Sequence, residues 1–248
     1  MKKFAFSGLT VLLLVLCLPG RSFGQWFVDF ENGLAVPGYN DVRIPGDTGT
    51  LFSLSEELNL DSAYFFRLRL GFRWKAGHTL SVFAAPLRLN AAGILDHEIF
   101  FFEEAFPANV PLTGVYKFNS YRLTYRYDLL KREKWQAGIG LTVKIRDAFI
   151  KIEGDGRSSK KKNIGLVPLL NFRVLWQFHK DWGLLFEGDA AAAPQGRAED
   201  ILLALQYRLN DKLNLRAGYR ILEGGSDVEA VYTFSLVHFL SAGLTYSF

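Results

Sequence analysis

Hydrophobic and polar residues alternate one by one along most of the chain beyond Gln25. Phe66, Leu68, Leu70, Phe72 and Trp74 alternate with Arg67, Arg69, Gly71 and Arg73. Tyr121, Leu123, Tyr125 and Tyr127 alternate with Ser120, Arg122, Thr124, Arg126 and Asp128. Ala137, Ile139, Leu141, Val143 and Ile145 interleave with Gly138, Gly140, Thr142, Lys144 and Arg146, and Leu213, Leu215, Ala217, Tyr219 and Ile221 with Asn214, Arg216, Gly218 and Arg220. Successive side chains of a strand point to opposite faces, so each stretch predicts a strand with one apolar and one polar face. Ten such segments are predicted, at roughly 25–36, 64–75, 79–90, 114–129, 135–152, 164–178, 182–190, 198–209, 212–222 and 231–248. No apolar run beyond Gln25 approaches the ~18 residues of a membrane helix, whereas a tilted membrane strand needs only about 9–11 residues.

The predicted connections are short at 75–78, 130–134, 179–181 and 210–211, and longer at 37–63, 91–113, 153–163, 191–197 and 223–230. An even number of strands with tight turns at one end and larger loops at the other is the pattern of bacterial outer-membrane barrels. The fold class is therefore all-β: one transmembrane antiparallel β-barrel domain of about ten strands over 25–248, with both termini in the periplasm. A soluble barrel or sandwich would also alternate, but it would hide its apolar face. Here the polar face is crowded with arginine and carries glycine where packing residues would sit, so it reads as the interior.

Composition adds an address. Lys2 and Lys3, the apolar stretch Leu9–Leu18 and the small residues of Ser22-Phe23-Gly24 make 1–24 a signal peptide cut before Gln25. The only Cys (Cys17) and the only Met (Met1) fall within it, so the mature chain has no disulfide framework or thiol chemistry. Lys2, Lys3 and Arg21 are three of 29 basic residues against 25 acidic ones, which leaves a mature net charge of +1. That balance gives no sign of a nucleic-acid partner. Trp26, Trp74, Trp135, Trp176 and Trp182 all map beside the chain start or a short turn, as an interfacial aromatic girdle would. Tyr64, Tyr116, Phe118, Phe149 and Tyr232 are assigned to the opposite rim.

The last strand alternates through Leu240, Ala242, Leu244 and Tyr246 to a terminal Phe248. Tyr246 and Phe248 resemble the assembly signal that the outer-membrane assembly machinery recognises. Four further stretches, Tyr116–Tyr127 (YKFNSYRLTYRY), Val167–Leu170 (VPLL), Ala192–Asp200 (AAPQGRAED) and Gly218–Gly225 (GYRILEGG), resemble an uncharacterised family of Gram-negative outer-membrane β-barrel proteins. The resemblance implies the fold and the outer-membrane address, and brings no activity with it. The partners expected are outer-membrane lipid, lipopolysaccharide and the assembly machinery; the sequence says nothing of oligomeric state.

The candidate chemistry is a charge network in the lumen: Arg67, Arg69, Arg73, Arg122, Arg126, Asp128, Lys144, Arg146, Arg173, Glu187, Arg208, Arg216 and Arg220, with Asp147, Asp189 and Asp200 among the opposing acids. Such a set either pairs into a salt-bridged plug or lines a narrow channel that favours anions. A second cluster, Asp189, Arg197, Glu199, Asp200, Glu223 and Asp227, is placed at the mouth, where it would bind a cation or headgroup or simply order the loops. The leading functional expectation is a structural barrel or narrow solute channel without cofactor. The alternative is a surface enzyme acting on lipid or peptide.

Support for catalysis is thin. His78 and His179 fall in short turns, His238 in the lipid-facing register of the last strand, and only His97, between Asp96 and Glu98, on a long loop. No His or Cys spacing suggests a metal site. The loop with Phe100, Phe101, Phe102 and Phe106 would fold into the lumen, lie on lipid or meet a partner. Lys160, Lys161 and Lys162 would form a solvated loop tip that could reach lipopolysaccharide phosphates.

Overall fold

The computed structural model describes Gly24–Phe248 except Lys75 and Ala76. The predicted leader, apart from Gly24, lies outside the described residues. The strands are β1 (Gly24–Arg43), β2 (Phe52–Ser53), β3 (Ala63–Trp74), β4 (His78–Ala85), β5 (Arg88–Ile94), β6 (Ile99–Phe101), β7 (Glu104–Phe106), β8 (Pro111–Lys131), β9 (Trp135–Gly154), β10 (Arg157–Gln177), β11 (Trp182–Ala193), β12 (Gly196–Arg208), β13 (Leu213–Val228) and β14 (Val231–Ser247). Ten antiparallel staves close into a barrel. Each is hydrogen-bonded to its sequence neighbour, and β1 meets β14 from Phe27↔Ser247 to Arg43↔Tyr232. β4 and β5 are two halves of one stave, both paired to β8 and parted at Pro86, which has no N–H to give the ladder. All ten predicted strands are present.

The alternation sorts the side chains as expected in the short-turn half. Leu123, Leu141, Val143, Leu166, Leu203 and Leu240 cover the outer wall, while Arg67, Arg122, Arg126, Arg216 and Arg220 are buried inside. Two inward glycines make that filling possible. A Cβ on Gly71 would lie 2.3 Å from the Phe27 ring, and one on Gly138 would lie 3.1 Å from Arg126 Cδ. The five tryptophans ring the short-turn end: Trp135 stacks on Trp176 at 5.6 Å, Trp74 on His78 at 5.4 Å, and Trp182 meets Tyr207 at 4.7 Å.

The other end departs from expectation in three ways. First, three of the five long loops are strand. β9 and β10 turn at Asp155-Gly156 (φ 50° and 73°), β11 and β12 at Pro194-Gln195, and β13 and β14 at Glu229-Ala230. Positive φ at both central residues matches the strand twist of a two-residue hairpin. At 20 and 21 residues, β9 and β10 are about twice the length a bilayer needs. Lys160, Lys161 and Lys162 therefore lie within β10 and not at a loop tip.

Second, the two remaining long connections, 44–62 and 95–110, fold back into the lumen. Ile44, Phe52, Leu54, Leu58, Leu95, Ile99, Phe101 and Phe106 pack there against Ala35, Leu89, Leu112, Ile150, Ile152, Leu222, Val237 and Phe239 of the wall. Of the three fates open to the phenylalanine loop, this is the inward one. The loops are tied to each other by Phe102 N–H to Ile44 O (2.6 Å) and Thr50 N–H to Phe100 O (3.0 Å). They are tied to the wall by Ser159 Oγ to Phe101 O (3.0 Å) and Leu54 N–H to Asn40 O (2.8 Å).

Third, Tyr116 and Phe118 do not belong to an outer rim. They follow the inward register, and the buried Tyr116 hydroxyl hydrogen-bonds Ser235 Oγ at 2.8 Å. Tyr64 does face outward.

Candidate functional site in the barrel interior

Beneath the apolar plug lies a layer of ion pairs. Arg67 holds both oxygens of Asp200 (3.0 and 2.9 Å), and Arg122 bridges Asp189 (2.6 Å) and Asp200. Arg220 clasps Glu31 with two 2.8 Å bonds and reaches Asp200 at 2.6 Å. Arg216 holds Asp29 at 2.5 and 2.9 Å and touches Glu31 at 3.3 Å, and Arg69 meets Glu187 at 3.4 Å. Five arginines thus face five carboxylates, and most are almost fully buried. Thr142 Oγ1 and Asn171 Nδ2 complete the Asp189 carboxylate at 2.6 and 2.8 Å. Buried charges persist only when paired and hydrogen-bonded on several sides, as these are. The upper guanidiniums also sit over aromatic faces, Arg67 4.8 Å from Phe239 and Arg122 4.9 Å from Phe83.

Other members of the predicted lumen set lie outside this layer. Arg73, Arg126 and Arg173 line its short-turn side, with Arg73 over the Phe27 ring at 4.1 Å. Asp128 lies between Arg126 (3.6 Å) and Lys131 (3.5 Å) near the rim. Lys144 is buried beside the Phe118 ring at 5.3 Å, without a carboxylate among the described residues. Arg146 takes Asn163 as its partner at 2.7 Å. Arg208 is a correction: it caps the short-turn end through the Lys180 carbonyl and pairs with no acid among the described residues. Asp147 is another. The inward register passes through Lys144 and Arg146, so Asp147 faces outward and pairs with Lys117 at 2.5 Å.

The predicted mouth cluster divides. Asp189 and Asp200, also expected among the lumen acids, belong to the buried layer, because the inward register of β12 runs through Asp200 opposite the core residue Leu222. Their neighbours in that register must face out. Arg197 forms a bidentate pair with Glu223 (2.8–3.0 Å) on the outside of the wall, over the Phe234 ring, and Tyr39 O–H donates to the same carboxylate. Glu199 stands opposite Glu223 on that face, and Asp227 is exposed near the hairpin tip. Nothing draws these groups together over the opening.

Sequence reasoning missed Asp29 and Glu31. Both alternate with Val28 and Phe30, so the period-two rule applied to β1 would have found them. Among the histidines, His97 Nδ1 lies 2.9 Å from Asp96, with Glu57 3.7 Å from Nε2, on the exposed rim of the plug. The hydrogen bond from His97 holds the Asp96 carboxyl below its usual range. His238 stacks on Tyr219 outside the wall. Among the described residues no group of three or more His, Cys, Asp or Glu is placed to hold a metal ion.

Closed antiparallel staves, an apolar outer wall and an aromatic girdle define the fold of an outer-membrane β-barrel. Comparison with solved structures agrees. The outer-membrane protease OmpT of Escherichia coli superposes with a TM-score of 0.56 at 10% identity, over 90% of this chain and 97% of that one. Looser likenesses include the transport unit of the autotransporter AIDA-I of Escherichia coli (TM-score 0.47, 9% identity, 98% of each chain) and Ail of Yersinia pestis (0.40, 11%, 90% and 99%). No protein-family model and no curated protein sequence matches the chain.

Proposed function

We propose that the chain is an integral protein of a Gram-negative outer membrane, exported by its cleaved leader. Its short-turn end faces the periplasm, and its outer wall meets membrane lipid and lipopolysaccharide. In this reading it is a structural barrel closed along its axis and not a standing channel. One observation carries the proposal: the lumen is filled twice in series. The apolar core of 44–62 and 95–110 occupies the outer half, and the ion-pair layer around Asp200 and Glu31 crosses beneath it. An ion following the axis would have to displace a dry hydrophobic core and then break several buried pairs. A ten-stranded barrel is narrow enough for side chains alone to fill it.

Purified protein in planar lipid bilayers tests this directly. The intact barrel is expected to give no conductance steps, and a variant with 96–106 replaced by a short glycine–serine link should leak only when Glu31→Gln and Asp200→Asn also break the layer beneath. Stable conductance by the intact protein would defeat the proposal and restore the channel.

A further inference from the structure

The ion-pair layer balances five arginines against five carboxylates, yet the lumen does not stop there. On its short-turn side Arg73, Arg126 and Arg173 line one recess together with Thr79, Ser81 and Gln206, and the paired Asp29–Arg216 and Glu187–Arg69 of the layer form its upper side, so five guanidiniums face two carboxylates there. None of the three guanidiniums makes a hydrogen bond to any described residue. The acids within reach are already engaged. Glu187, 3.7 Å from Arg173, is the partner of Arg69, and Asp128 is shared between Arg126 and Lys131. Arg126 Nε and Thr79 Oγ1 are buried without a hydrogen-bond partner among the described residues. The recess therefore holds a surplus of positive charge and a set of unspent donors in a site withdrawn from bulk water.

Each guanidinium carries up to five N–H donors in a planar fork suited to the oxygens of phosphate or carboxylate. Mutual repulsion between like charges in low dielectric is costly, and a bound anion would offset it. The wall is shaped for this arrangement. Arg73 and Arg126 flank Thr79 on adjacent staves (Arg73↔Thr79↔Arg126), and the bare positions Gly138 and Gly140 on the next stave leave the space across which Arg126 extends. The recess has room for roughly two or three waters, the scale of one tetrahedral oxyanion.

We propose that this recess is a binding site for a small multivalent oxyanion of the phosphate class. The anion is either free or the terminal group of a phosphate monoester that enters from the short-turn end. The proposal needs only a barrel blocked above the recess, and it stands whether or not loop movement ever opens that block.

Titration calorimetry on the refolded full-length barrel in detergent, against chloride at equal ionic strength, tests it. Inorganic phosphate should bind and should raise the thermal unfolding midpoint. Glycerol 3-phosphate distinguishes the sources: binding of both ligands points to a monoester end group, and binding of phosphate alone to the free ion. Arg126→Gln and Arg73→Gln should each weaken binding tenfold or more. Without phosphate, both variants should unfold no earlier than the parent, because each relieves repulsion. Arg197→Gln, outside the wall, should leave binding unchanged. Absence of a phosphate-specific signal, or equal weakening by Arg197→Gln, would overturn the site. If one recess variant does not refold, the other decides.

Discussion

Arg126 and Arg220 are both buried arginines in the inward register, yet their situations are opposite. Arg220 has two carboxylates at 2.6–2.8 Å, while the nearest acid to Arg126 lies at 3.6 Å. Their couplings should differ accordingly. A double-mutant cycle on Arg220 and Glu31, read by urea unfolding in lipid vesicles, should return an interaction energy within about 0.5–3 kcal/mol. The cycle on Arg126 and Asp128, which stand 3.6 Å apart with no hydrogen bond between them, should return less, near the ~0.5 kcal/mol at which independent sites still add. Asp200→Asn removes the one carboxylate that Arg67, Arg122 and Arg220 share and should cost about 3–5 kcal/mol. A loss below 1 kcal/mol would mean that water reaches this layer. Alternation alone predicts that Thr142, beside the outward Leu141, tolerates change. Its hydroxyl instead completes Asp189, so Thr142→Val should destabilise by about 1–3 kcal/mol. Alternation names the face a residue occupies and says nothing of its partner across the lumen. That is why the arginines could be read from the sequence and their pairings could not.

At the level of strands, legibility follows polarity. Where a stave crosses the apolar belt, lipid outside and charge inside give strict alternation, and β3, β8, β9 and β13 could be read directly. Higher up, the inner face turns apolar to meet the plug, so both faces become hydrophobic in Ile221-Leu222 and Leu236-Val237. In 157–163 of β10 the outer face turns polar as the strand rises clear of the belt. Period two fades in both cases, and these stretches look like loops. The belt itself remains testable. Leu141→Arg, on the exposed outer wall, should cost about 2–4 kcal/mol if the residue lies near the bilayer midplane. The same substitution at Ile164, two-thirds of the way toward the Asp155-Gly156 hairpin, should cost much less. Equal penalties would place the membrane elsewhere on the wall.

For the molecule as a whole, the first and last strands close one seam, and the core contains residues from both of them, such as Ala35 and Val237. Lumen filling and barrel closure therefore belong to one cooperative event. Deleting Phe248, whose N–H bonds the Trp26 carbonyl at 3.0 Å, should lower the amount of heat-modifiable barrel recovered in outer-membrane fractions. Undiminished recovery would count against an assembly role for this end of the chain. Drawing both long loops inward also determines what the molecule presents to the outside. In the proposed orientation a bacteriophage or an antibody approaching the cell would meet mainly three bare hairpin crests and Phe100, with Phe101 and Phe106 buried beneath. Such crests are natural grafting points. A foreign epitope spliced after Gly156, where nothing crowds the backbone, should be displayed on living cells at the parent's thermal stability, whereas the same epitope placed after Phe101 should pull out the stopper and lower that stability.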